Sequence, residues 1–491
     1  QALESGTDCA SNTAIGAQSM FLTTSGNGRN TAVGAGSLYT QTTGYQNTAV
    51  GHNALRGVTT GYMNTAMGER TANALSTGIE NAFFGYNAGL SHTTGGGCTA
   101  VGAYALDANT TAHYNIAVGR SALSANTTGS ENIASGYYAL HTTTTGNYNT
   151  AYGTSALYNS TTASNNTAVG KSSLEANTTG TTNTAVGSGS MDANTTGDNN
   201  TAVGGQNALG ANTTGAQNTA IGGGALAANT TASNNTSVGH ASLIRNTTGA
   251  SNVAVGVDAL NFNSTASNNT AVGYASLAAN TTGGFNVALG AYTLDANTTA
   301  SNNTALGYAA LSANTTGTEN TAVGYAALDA NVSGFYSTAI GSNVLTASTA
   351  SSNTGVGFAA LEANTSGTQN TAIGMQALTD NTTANNNVAV GHRAMFVNTT
   401  GASNTAVGSG ALDANTTASY NTAVGNSVLT ANTTGASNTG LGYATLYDNT
   451  TGANNVAVGY LALENNTTAN NNTAVGYASL GANTTGYSQT A

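Results

Sequence analysis

Apolar residues in this chain follow neither a helical period nor a long alternation, but recur in one short pattern. The block Asn-Thr-Ala-Val-Gly, with small variations, appears from Asn12–Gly16 to Asn472–Gly476. Its closing glycine marks 28 anchors, and 24 of the 27 intervals between them are 17 residues long. Two intervals are 18 (Gly16 to Gly34, Gly204 to Gly222) and one is 16 (Gly341 to Gly357). One unit reads N-T-A-V-G-Y-x-A-L-x-A-N-T-T-G-x-x, as in Asn303–Glu319. Such a period is the signature of a solenoid, in which each unit buries its apolar face only by stacking on its neighbours. Thr-Ala-Val, as at Thr321-Ala322-Val323, predicts a first strand, because its first position also accepts Ile116, Val253, Val287 and Val388 and β-branched residues suit a pleated surface. The stretch ending at Leu four residues past the anchor (Leu174, Leu277, Leu311, Leu412, Leu480) predicts a second. Asn-Thr-Thr-Gly and the anchor glycine predict turns. No helix-length apolar face exists. The expected fold is all-β: a parallel β-solenoid, or β-roll, of about 28 tandem 17-residue repeats, with residues 1–491 forming a single continuous array that is locally irregular at 69–98.

Comparing repeats assigns a role to each column. The Val position takes Val, Ile, Leu, Met67, Phe84 or Tyr152, with Ser135 the small exception, and the Leu position varies to Met191 and Met395. These two columns are the expected core. The Ala between Thr and Val changes only to Ser237, Gly355, Gly440 or, once, Phe83, and as a strand neighbour of Val it points to the opposite face. A face kept so small implies close packing, against another part of the coil or, in the reading preferred here, an identical subunit. In mid-chain the turn alternates between Gly (Gly249, Gly283, Gly317) and Ala (Ala266, Ala300). Ala disfavours the positive φ that Gly permits, so successive turns are expected to differ. One coil is then one repeat or two.

Composition narrows the function classes. Only 25 of 491 residues are charged, 7 basic and 18 acidic, with 64 Gly and no Pro or Trp. Missing Pro fits strands stacked on both sides, where every N–H is needed. Net charge is −11 and the basic residues are scattered, which excludes the basic patch a nucleic-acid partner needs. No apolar run is long enough for a membrane span. No acid–base or nucleophile constellation appears, so no enzyme, catalytic residue, metal site or cofactor is expected. The glycines never form a phosphate loop. His52, His240 and His392 follow anchor glycines at least nine repeats apart and read as exposed substitutions. Glu175, Asp192, Asp295, Asp329, Glu362 and Asp413 read as a solvated edge that discourages aggregation; the G-G-x-G-x-D motif of calcium-binding rolls is absent. Cys9 and Cys98 stand five repeats apart, too far for a disulfide. Tyr137, Tyr274, Tyr308, Tyr325, Tyr443, Tyr460 and Tyr477 follow anchors and are expected to cover the neighbouring coil rather than to stack on glycans. Asn-Thr-Thr and Asn-Asn-Thr are N-x-[ST] sequons, but asparagine ladders along a stack explain them structurally. The chain opens (Gln1-Ala2-Leu3) and closes (Gln489-Thr490-Ala491) in mid-repeat, as a window of a longer array or as ends that join head to tail.

The block N-T-A-V-G-Y-x-A-L-x-x-N-T-T-G resembles the repeat region of phage and bacterial tail-fibre-like proteins, and is more distantly similar to the S-V-A-I-G repeats in the heads of YadA-type trimeric autotransporter adhesins. The resemblance implies a left-handed parallel β-roll, often trimeric, outside the cell or on a virion; the 17-residue period is longer than that of the adhesin heads. The expected function is a non-enzymatic extracellular or virion fibre, located outside the cell, on its surface or on a virion. Its expected partner is itself, as a lateral or head-to-tail homo-oligomer, trimer or open filament. The alternative is an adhesin or receptor-binding head that recognises glycans or a cell surface through Tyr and Asn columns. A minor alternative is an ice-binding solenoid, although the strand lacks a T-x-T spacing.

Overall fold

A computed structural model describes residues 11–24, 28–205 and 207–491. The chain divides into two compact units, Gln1–Thr248 and Gly249–Ala491. The first holds fourteen three-residue strands, β1 (Thr13–Ile15) to β14 (Thr236–Val238), and the second fourteen more, β15 (Val253–Val255) to β28 (Thr473–Val475). Within each unit consecutive strands pair in parallel and in register, as Thr321, Ala322 and Val323 do with Thr338, Ala339 and Ile340. The fold is therefore a parallel β-solenoid, and pairing of each strand with the next settles the coil at one repeat. Each described strand coincides with a Thr-Ala-Val block.

The second expected strand is absent. After the anchor, the chain runs as consecutive turns in which Ala309 and Leu311 take left-handed φ of 54° and 52°. Stacking still satisfies this backbone: Ala309 N–H donates to Ala291 O at 3.1 Å in the preceding coil, and Leu311 N–H to Ala327 O at 3.0 Å in the following one. The left-handed turns aim Leu311 inward, where it is fully buried.

The core differs from the sequence reading in one respect. The Ala column is inside and fully buried, as at Ala305, Ala322 and Ala339. The Val column is outside, with Val101, Ile340 and Leu441 exposed by 39%, 40% and 47%. Strand alternation fixes only that Ala and Val face opposite ways. Leu from the turn run and two buried asparagines already fill the coil, so the strand facing them has room for Ala alone. The Ala face therefore packs on its own coil, not on a neighbouring subunit.

Glycine placement follows from the tight stack. Anchor Gly307 has φ of 132°, and a Cβ there would lie 2.3 Å from Gly324 O of the next coil. At Gly283 φ is outside the left-handed region, and the demand is space: a Cβ would lie 2.0 Å from Ala300 O. At this turn the glycine thus answers to close approach rather than to positive φ, and nothing in the structure explains its alternation with Ala.

Candidate functional site

Inside most coils two asparagines form ladders along the stack. In the strand file, Asn303 Oδ1 accepts the N–H of Asn320 in the next coil at 3.0 Å, while Asn303 Nδ2 donates across the coil to Gly317 O at 2.9 Å. In the turn file, Asn314 Nδ2 donates to the same Gly317 O at 3.0 Å and to Asn297 Oδ1 at 3.0 Å. All of these asparagines are fully buried. The ladders satisfy groups that would otherwise be costly to bury, and they remove these Asn columns from any surface.

The ladders also account for two residues that depart from the repeat, His92 and Cys98. His92 stands in the turn file: Asn109 Nδ2 donates to its Nδ1 at 2.7 Å, and its Nε2 lies 2.9 Å from Gly95 O. The ring thus copies an asparagine's acceptor and donor, and burial holds its pKa down at about 4. Cys98 replaces the strand-file asparagine; it is free and buried, with Sγ 3.5 Å from Ala112 O. Desolvation pushes its thiol up to about 11, so it is no nucleophile. Cys9 and Gln1-Ala2-Leu3 lie outside the described residues. Thr143 and Ser160 break the turn file. Neither reaches as far as an amide, and Asn126 Oδ1, Thr143 Oγ1 and Ser160 Oγ are left without partners.

Residues 69–98 keep the backbone register through β5 (Ala82–Phe84). Their irregularity is largely internal. Phe83 replaces the small strand residue, and Gly89 replaces the Leu it would strike, since a Cβ on Gly89 would lie 3.2 Å from the Phe83 ring. A shallow cleft of about 240 Å³ nearby is lined by Ile79, Glu80, Gly97, His113 and Tyr114 and gathers no nucleophile–base pair. Among the described residues no group of three His, Cys, Asp or Glu could hold a metal ion.

Three columns face outward. Tyr443, Tyr460 and Tyr477 stack at centroid distances of 5.2 and 5.4 Å with nearly parallel planes. Their ring faces cover one another and leave edges and hydroxyls to solvent, so the column spends on its neighbours the surface that would stack on a sugar. His52, His240 and His392 are exposed, as expected. The acidic edge is half-buried rather than fully solvated, and desolvation raises the carboxyls of Asp192, Asp295 and Asp413, even though Arg393 lies 3.3 Å from Asp413.

The third column is the strand's outer face, with Thr and Val repeated from coil to coil. Across all 28 strands its two outward positions hold Thr, Val, Ile, Leu, Met, Phe, Tyr, Ala or Ser and never a charge. Within each unit it is an uncharged, partly apolar strip at the surface, whereas the sequence pattern places its Val column in the core. Strand parity was the missing signal. No helix among the described residues is long and apolar enough to cross a membrane. No family model matches the chain, and no curated protein matches it.

Proposed function

We propose that this protein is a non-enzymatic structural solenoid that assembles with copies of itself through the outer Thr–Val face, forming a fibre outside the cell or on a virion. The observation that carries the reading is the uncharged face itself. Contiguous apolar surface on this scale marks an interaction site. An identical face is its natural complement, because both repeat at the same strand spacing of about 4.8 Å. Magnitudes favour association. Covering a Val exposed by about 40% contributes roughly 0.5–1 kcal/mol. Fourteen strands of one unit on each of two copies then offset an association cost of about 4–15 kcal/mol.

The resemblance to tail-fibre and adhesin repeats supports the same reading. The adhesin alternative is weaker, since the two ladder Asn columns are buried and Tyr443, Tyr460 and Tyr477 stack on one another. The outward Thr file supports ice binding as a second reading, and thermal hysteresis of the purified chain separates the two. Sedimentation equilibrium tests the assembly. Wild-type chain is expected at a multiple of 48.0 kDa, and a V101K/V169K/V323K/V407K variant, with lysines on the outer face of both units, at 48.0 kDa with unchanged strand content. Equal masses for both would overturn the proposal.

A further inference from the structure

Most N-x-[ST] sequons fall into two files with opposite access. In the turn file, from Asn109-Thr110-Thr111 to Asn466-Thr467-Thr468, every asparagine on the pattern is fully buried. Its Nδ2 is committed twice, as Asn297 donates to Asn280 Oδ1 at 2.9 Å and to Ala300 O at 3.1 Å. The other file is the first asparagine of the Asn-Asn-Thr triplets that lead into a strand: Asn165, Asn199, Asn234, Asn268, Asn302 and Asn471. These six side chains are exposed at the turn entering a strand, with φ between 57° and 64°.

N-linked glycosylation joins Nδ2 to the anomeric carbon of a phosphate-activated sugar; the sugar–phosphate bond breaks, the phosphate group leaves, and one amide proton is released. In the inner file that reaction removes a ladder donor and puts a polar group of sugar size where neighbouring coils touch. In the outer file it removes nothing the coil uses. We infer that the fold admits N-linked glycans on the outer file and is blocked by them on the inner one, so that this chain is made where N-x-[ST] sequons are not modified before folding. The inference rests on burial and bonding within the coil and does not depend on self-assembly.

The test produces the full chain in a bacterial cytoplasm and, separately, through a glycosylating eukaryotic secretory pathway, mapping glycans by mass spectrometry and strand content by circular dichroism. The bacterial product is expected to show strands and a cooperative melt. The secreted product is expected to carry inner-file glycans and lose both. A third preparation replaces the exposed third sequon residue of the inner file by Ala (Thr179→Ala, Thr196→Ala, Thr214→Ala and their equivalents), which removes the sequon but keeps the asparagine. It is expected to regain strands with outer-file glycans in place. Strands and a melt in a secreted wild-type chain, whether its inner file is occupied or bare, would overturn the inference, as would a secreted Ala variant that stays unfolded.

Discussion

The exceptions in the Ala column show how tightly one residue is tied to its neighbours. Gly355 and Gly440 replace Ala in the coils that follow Val344 and Val428, and a Cβ on either glycine would lie 2.5 Å from a valine methyl. Ser237 fits because its hydroxyl donates to Ser242 O at 2.8 Å. Gly355 has φ outside the left-handed region, so its cost is purely steric. Gly355→Ala is expected to destabilise the fold by about 1–3 kcal/mol through overpacking. Val344→Ala in the same chain is expected to recover a large part of that loss, giving a coupling of about 1–2 kcal/mol in a denaturant double-mutant cycle. Additive effects would show that the two side chains do not share the space described. That this column must stay small was legible from the sequence. Its direction was not, because a three-residue strand has two parities and the bulkier Val looked like core.

At the scale of elements, the strand and the asparagine ladders were readable and the turn run was not. Thr-Ala-Val carries its strand signal in β-branched residues, and paired Asn columns imply stacking. Leu311 in a left-handed turn breaks the usual preference of L-residues, which costs about 1–2 kcal/mol. Inter-coil hydrogen bonds and Leu burial compensate, and these appear only once coils stack. The turn-file ladder also sets a pH dependence. The folded pKa of His92 is about 4, below the ordinary 6.5, so at pH 7 the ring is neutral folded or unfolded. As pH falls from 6.5 towards 4 the unfolded chain binds a proton first, and stability drops by roughly 3 kcal/mol before levelling off. Asp192, Asp295 and Asp413 run the other way, because raised folded pKa values gain stability as pH falls. His92→Asn restores the ladder residue and isolates the histidine's share. Denaturant midpoints for that variant should fall less between pH 6.5 and 4 than those of the wild type, and parallel curves would remove His92 from the account.

For the molecule as a whole, low charge and abundant Gly, Asn and Ala follow from one unit repeated through both compact parts of the chain. Charge is absent where coils must stack and, less obviously, along the outer strand face, where stacking does not require it. Solvent alone gives no reason to keep 28 strands free of Lys and Glu on that side. Contact with another copy, as proposed above, would. The architecture was legible because every coil restates it, whereas the outward face of the strand was misplaced by one residue of parity. Imaging purified chain by cryo-electron microscopy tests this most directly. The account predicts assemblies in which neighbouring chains meet along the Thr–Val columns, with the Tyr column and acidic edge turned outward. Single chains at micromolar concentration, or assemblies joined through the Tyr column with the Thr–Val face bare, would contradict it.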